Sequence, residues 1–278
     1  MMNMIRADFY RISKNMVMFI ALAFVIFMAA VSIYFVEPGS VGVHYESGAV
    51  IENELNEMSQ EELGDLSTGE YREIMLKTEN YALDKDILAS NINLYYVFIF
   101  AAAIAITVDF SGSCVKNTLS SAISRRKYYF SKLITVSLCC LAFLFLNTYI
   151  VYFGNIIFNG DNLASDIETV TKITLLQIPP ILALISVLTG FAFMFRKTAV
   201  FNAVTIPFLM IVQLLLNLIS AFIKIPESTY DYELQRMISI LAGEPSGGYI
   251  IKSYAVCAVI IALFNIIGWM SFKKAEIK

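Results

Sequence analysis

The residues able to do chemistry in this chain crowd into one short stretch. Asp109-Phe110 closes an apolar run and Gly112 follows. Lys116-Asn117, Ser124-Arg125, Arg126, Lys127 and Lys132 come soon after. Elsewhere the familiar catalytic signatures are missing from the sequence. It contains no GxxxxGK[ST] phosphate loop and no HExxH. Hydrolysis inside a membrane would need convergent acids, histidines or an activated serine within apolar runs. Only Asp109 approaches such a run, at its end. Glu61-Glu62 and Arg72 belong to a long acidic segment, and His44, the single histidine, lies there too. Cys114, Cys139, Cys140 and Cys257 have no metal-ligand spacing. The expectation is a chain that is not an enzyme, with no catalytic residue, no metal site and no nucleic-acid partner.

The stretch from Asp109 to Lys132 reads physically as a short helix held under a membrane. Gly112 permits a sharp exit from the apolar run. Val115, Leu119 and Ala122 then share one face, with Lys116 and Asn117 beside it. Ser124 caps a new helix that carries Arg125, Arg126, Lys127 and Lys132 into the headgroups. The plainer alternative is a basic segment that does nothing but fix topology.

The elements around this stretch follow from composition and charge. Hydrophobic residues make up 58% of the 278 positions, charged residues 15%, and the mean hydropathy is +0.69. A membrane-crossing helix needs about 20 apolar residues. Runs at residues 16–36, 91–108, 131–153, 173–195, 198–223 and 249–272 read as six spans. They are continuous rather than alternating, which points to helices and away from a β-barrel. The first run is longer than a signal-peptide core and is expected to be retained.

Charge sorts strictly between the loops. One class of segments holds thirteen of the 20 basic residues and only Asp8, Asp109 and Glu276 among the acids; the other holds the remaining acids. Basic loops stay in the cytoplasm, so both termini are read as cytoplasmic. Ile5, Phe9, Ile12 and Met16 recur at helical spacing, with Arg6, Arg11 and Lys14 among them, and give residues 1–15 the pattern of an amphipathic interfacial helix. Residues 37–90 form an acidic outer subdomain with helical content. Residues 224–248 hold an outer amphipathic helix, with Leu234, Met237, Ile238 and Leu241 on one face. Its partial re-entry into the membrane would require its backbone groups to be buried in protein. Pro179-Pro180 and Pro207 favour kinks. Tyr34, Tyr95, Tyr96, Tyr128, Tyr129, Tyr152, Tyr249 and Trp269 fall at span ends and suggest an interface girdle. Asn147, Thr148, Gln177, Asn202, Gln213, Asn217 and Asn265 are polar positions inside spans, expected to join helices by hydrogen bonds.

The inner stretch resembles ABC-2 type transporter permeases. In that family an acidic-aromatic pair ends the second span, a glycine turn and a Lys-Asn-Leu-Leu-Ser-like helix follow, and Ser-Arg-x-x-Tyr-x-x-x-Lys enters the third. The matching residues are Asp109-Phe110, Gly112, Lys116-Asn117-Thr118-Leu119-Ser120, and Ser124-Arg125 through Tyr128 to Lys132. Gly112-Ser113-Cys114 replaces the usual Gly-Thr, and Ile123 replaces a frequent glycine. The motif covers about 25 residues, while the six-span plan extends over the chain.

The resemblance implies the transmembrane subunit of an ATP-driven bacterial exporter in the cytoplasmic membrane. ATP and Mg would be held by a separate ATPase chain. A second permease subunit, identical or not, would complete the pathway. The short inner helix would be the coupling helix, with Gly112, Val115, Lys116, Asn117, Leu119, Ser124 and Arg125 as its coupling residues. The expected substrate is a small peptide or amphipathic molecule, moved by alternating access between lipid-embedded subunits. The alternative is a membrane sensor or immunity subunit that binds a peptide ligand without moving it.

Overall fold

The computed structural model describes residues 2–14, 16–35, 83–90, 94–112, 114–120, 123–160, 164–223, 231–243 and 245–275. Most of the acidic segment, with His44, and residues 91–93, 113 and 121–122 lie outside them, as do the side chains of Tyr95, Tyr96, Gln213 and Asn217.

The described chain is all helical. The order is α1 (Met2–Ser13), α2 (Met16–Phe35), α3 (Leu83–Ser90), α4 (Leu94–Ala102), a π-helical turn (Ala103–Thr107), α5 (Val108–Ser111), α6 (Cys114–Ser120), α7 (Arg125–Asn159), α8 (Ile167–Phe195), α9 (Thr198–Ile223), α10 (Leu234–Ala242) and α11 (Gly247–Lys273). Among the described residues, α2, α7, α8 and α11 are long and apolar enough to cross a membrane. Two shorter apolar stretches accompany them, Val97–Phe110 through α4 and α5, and Thr198–Leu209 in α9.

α8 and α11 form the tightest pair. A Cβ placed on Gly268 would stand 3.0 Å from the Cα of Gly190, and 3.0 Å from the Tyr129 hydroxyl. Two glycines facing each other let the backbones close, as small residues do between apolar helices. α8 runs unbroken through Pro179 and Pro180. Pro180 cannot donate to the carbonyl of Leu176, four residues back. The Tyr254 hydroxyl on α11 donates to that oxygen instead, at 3.1 Å.

Of the polar positions expected to join helices, Thr148, Gln177 and Asn265 do so. Asn265 donates to the Ser186 hydroxyl at 3.2 Å and accepts from the Tyr129 hydroxyl at 3.0 Å. Thr174 on α8 donates to the Thr148 hydroxyl on α7 at 3.2 Å. Gln177 is fully buried, and its amide donates to the carbonyls of Leu88 on α3 and Ile238 on α10, at 3.1 and 3.0 Å.

α10 is the amphipathic helix read from the sequence, with Met237, Ile238 and Leu241 buried. It does not rest on top of the bundle. Met237 packs against Ala183 of α8 and Cys257 of α11, near the middles of those helices. Three bonds hold the helix and the residues leading into it. Glu233 accepts from the Arg236 amide at 2.8 Å, Gln177 takes the Ile238 carbonyl, and the Tyr249 hydroxyl takes that of Asp231.

Tyr128 and Tyr129 correct the reading of an interface girdle. Both tyrosines are 1% exposed. Tyr129 packs on Phe193 and Trp269, and Tyr128 on Phe272. The Tyr128 hydroxyl donates to the buried Asp109 and that of Tyr129 to the half-buried Asn265, so the two rings belong to the core. Tyr34 does stand exposed.

Candidate functional site

The short helix α6 sits between the apolar stretch that ends in α5 and the long helix α7. Gly112 makes the turn into it with φ −87° and ψ 8°. That conformation is open to any residue, so the glycine's use here is space. A Cβ would stand 3.3 Å from the Val108 carbonyl. Ser124 caps α7 as expected, accepting from the Lys127 amide at 3.3 Å. Phe110 packs edge-on against Phe193 of α8 and Phe272 of α11, and so fixes the end of the second apolar stretch to the bundle.

Beside α6 lies a buried cluster of charge. Lys132 on α7 is 1% exposed. Its ammonium lies 2.6 Å from Asp8 Oδ1 on α1 and 2.6 Å from Asp109 Oδ2 on α5. The Tyr128 hydroxyl donates to Asp109 Oδ2 at 2.8 Å. Arg11 closes the ring, 3.1 Å from Asp8 Oδ1 and 2.5 Å from Asp109 Oδ1. The Asp109 contact has the distance of an ion pair without the alignment of a hydrogen bond. Asp8 Oδ2 has no hydrogen-bond partner among the described residues. Two acids and two bases leave the cluster neutral, which a buried site requires. The amphipathic helix α1 is thereby docked onto the two helices that bracket α6.

The sequence-derived site residues divide between several tasks. Val115 is 1% exposed and belongs to the chain's own core, against which Leu119 also packs. Val115 thus faces inward and holds α6 to the bundle, with Leu119 partly buried beside it. Lys116 and Asn117 are the exposed residues of α6. Arg125 turns away from α6. Its guanidinium donates to the carbonyls of Phe272, Lys273 and Ala275, at 3.1, 2.7 and 3.0 Å, and so caps the end of α11. Arg196, in the turn after α8 with φ 57°, adds a bond to the Ser271 carbonyl at 3.1 Å. Lys132 enters the cluster and not the headgroups, while Arg126 and Lys127 are exposed.

Asp8, Arg11 and Tyr128 were not among the site residues read from the sequence. Asp8 carried one signal: it is the sole acid among the bases of its segment. Among the described residues, no three His, Cys, Asp or Glu side chains group as a metal site, and all four cysteines are free thiols.

An all-helical bundle with several helices of membrane-crossing length and composition has the build of an α-helical membrane protein. The chain belongs to the family described as Protein of unknown function (DUF2705), whose match covers residues 78–278. A search of curated proteins and a search of solved structures each find no match.

Proposed function

We propose that the chain is the permease subunit of an ATP-driven exporter of the ABC-2 type. Six spans would place both termini in the cytoplasm, and a separate ATPase would dock on the basic side. The observation that carries this reading is the mounting of α6. It joins two apolar helices through short connections and is packed inward by Val115, and the two helices that bracket it are tied to each other and to α1 through the Asp8–Lys132–Asp109 cluster. A push on α6 would therefore move α4–α5 and α7 together. Such a lever suits the transfer of motion from a nucleotide-driven partner better than it suits a passive topology signal.

Docking would fall to Lys116 and Asn117, because Val115 faces inward. Interface anchors are each worth about 2 kcal/mol or more when lost, roughly thirtyfold in affinity. Lys116→Glu is therefore expected to abolish co-purification of the proposed ATPase partner, together with its permease-dependent ATP turnover. Lys127→Glu, an equal charge change on the exposed side of α7, should leave both intact. Equal, undiminished binding in the two variants would remove α6 as the coupling element.

A further inference from the structure

A cavity of about 210 Å³ lies where α10 descends between the membrane-type helices. Leu184 and Val187 of α8 form one wall, Phe208 of α9 a second, and Ile260 and Phe264 of α11 a third. These positions lie near the middles of their helices. The amino end of α10 supplies Tyr232, Glu233 and Gln235 as the only polar lining among the described residues.

Two properties define what such a space takes. The walls are hydrocarbon. The space is half open, and a hydrocarbon group entering it would be buried against apolar side chains that offer water no hydrogen bonds. Water is thus a poor occupant and a hydrocarbon group a good one.

The second property is charge. Arg236 pairs with Asp231 at 3.2 Å. Glu233 has no basic side chain within ion-pair distance among the described residues, and its carboxylate only caps the Arg236 amide. The positive end of the α10 dipole offsets part of that charge. Glu233 is half-buried, and its neighbours Asp231 and Tyr232 lie against Tyr249 in the first turn of α11, so the carboxylate stands at the mouth of the cavity, where a cation entering from that end would meet it.

We propose that this cavity binds an amphipathic cation, its apolar part held among Leu184, Val187, Phe208 and Phe264, its amine against Glu233. The acidic character of the outer segments fits the same partner, because they would concentrate cations on that side. The proposal names a substrate class for the transport reading and rests on that reading only for the movement of the bound cation across the membrane.

The test uses the purified full chain in nanodiscs of neutral lipid, titrated calorimetrically with octyltrimethylammonium, octyl glucoside and octyl sulfate. Protein-free discs correct for partitioning. Saturable binding is expected, tightest for the cation. Glu233→Gln keeps a cap acceptor and removes the charge. It should weaken the cation roughly two- to fivefold, as for one partly exposed ion pair, and leave the glucoside unchanged. Val187→Phe or Leu184→Phe fills the cavity and should weaken all three. Equal binding of cation and glucoside, or unchanged cation binding in either the charge variant or the filled variants, overturns the proposal. Co-purification of the ATPase is read separately. Its failure beside intact alkylammonium binding counts against the transport reading and not against the site.

Discussion

Lys132 carries the inner end of the molecule at the residue scale. Its ammonium is the only cation touching both Asp8 and Asp109 while itself buried. Lys132→Met would leave two carboxylates facing each other with only Arg11 to answer them. Removing one partner of a buried pair typically costs about 3–5 kcal/mol. A melting temperature well below that of the parent is expected in detergent. Asp8→Asn together with Lys132→Met removes one acid and one base, so this double variant should recover part of the loss. A double variant no better than Lys132→Met would mean that Asp8 and Lys132 are not coupled. The sequence showed part of this arrangement. Asp109 and Lys132 stood in a motif, but their partner Asp8 is 124 positions from Lys132. Nothing in local spacing connects residues so far apart, and a lone acid in a basic segment only hints that it is paired.

At the scale of elements, periodicity and capping were the readable signals. The apolar face of α10 and the Ser124 cap stand where the pattern placed them. The depth of α10 was not readable, because it depends on Gln177 reaching two helices from distant parts of the chain. The inward turn of Val115 was hidden for a similar reason. An apolar face looks the same in sequence whether its own core or a partner covers it.

The outer helix α3 offers a test of its docking. Asp84 is fully buried there and accepts from the amide and hydroxyl of Ser165, at 3.0 and 2.9 Å, and from the Lys85 amide at 2.9 Å. Burial pushes its carboxyl above the usual 3.8, against the opposing pull of those Ser165 and Lys85 bonds. The folded chain therefore holds this proton more tightly than the unfolded chain. Asp84's contribution to stability is full below the unfolded value and is lost as pH rises through the folded one. Asp84→Asn keeps an acceptor for Ser165 and removes the charge. It should melt at least as high as the parent at neutral pH, and its melting temperature should depend less on pH through the acidic range. An unaltered pH dependence would show that Asp84 does not titrate with folding.

Across the whole molecule, the charge sorting and the contacts describe one arrangement. Arg125 and Arg196 both bond to the carboxyl end of α11, and Arg11 reaches Asp109, so the basic segments gather at one end. Asp84 with Ser165, and Gln177 with Leu88 and Ile238, gather toward the other. Contacts between helices need no membrane to form, whereas the bias of Lys and Arg arises only from insertion into one. Their agreement is an independent reason to treat the basic end as a single face. Length alone gives a less complete reading. Four helices meet the size for crossing a membrane, while α4–α5 and α9 contribute shorter apolar stretches among the described residues. Those two flank the π-helical turn, where Thr198 of α9 donates to the Thr107 hydroxyl at 3.0 Å. The proposed six-span topology then makes a definite statement about each loop. Single cysteines at Glu57 and Asp161, in a background lacking the four native ones, should react with an impermeant thiol reagent added to intact cells. Cysteines at Arg126 and Lys197 should react only after the membrane is opened. Labelling at all four positions in intact cells would deny a sealed inner face. Protection at Glu57 with labelling at Arg126 would reverse the orientation, and would move α6 to the side where no ATPase can reach it.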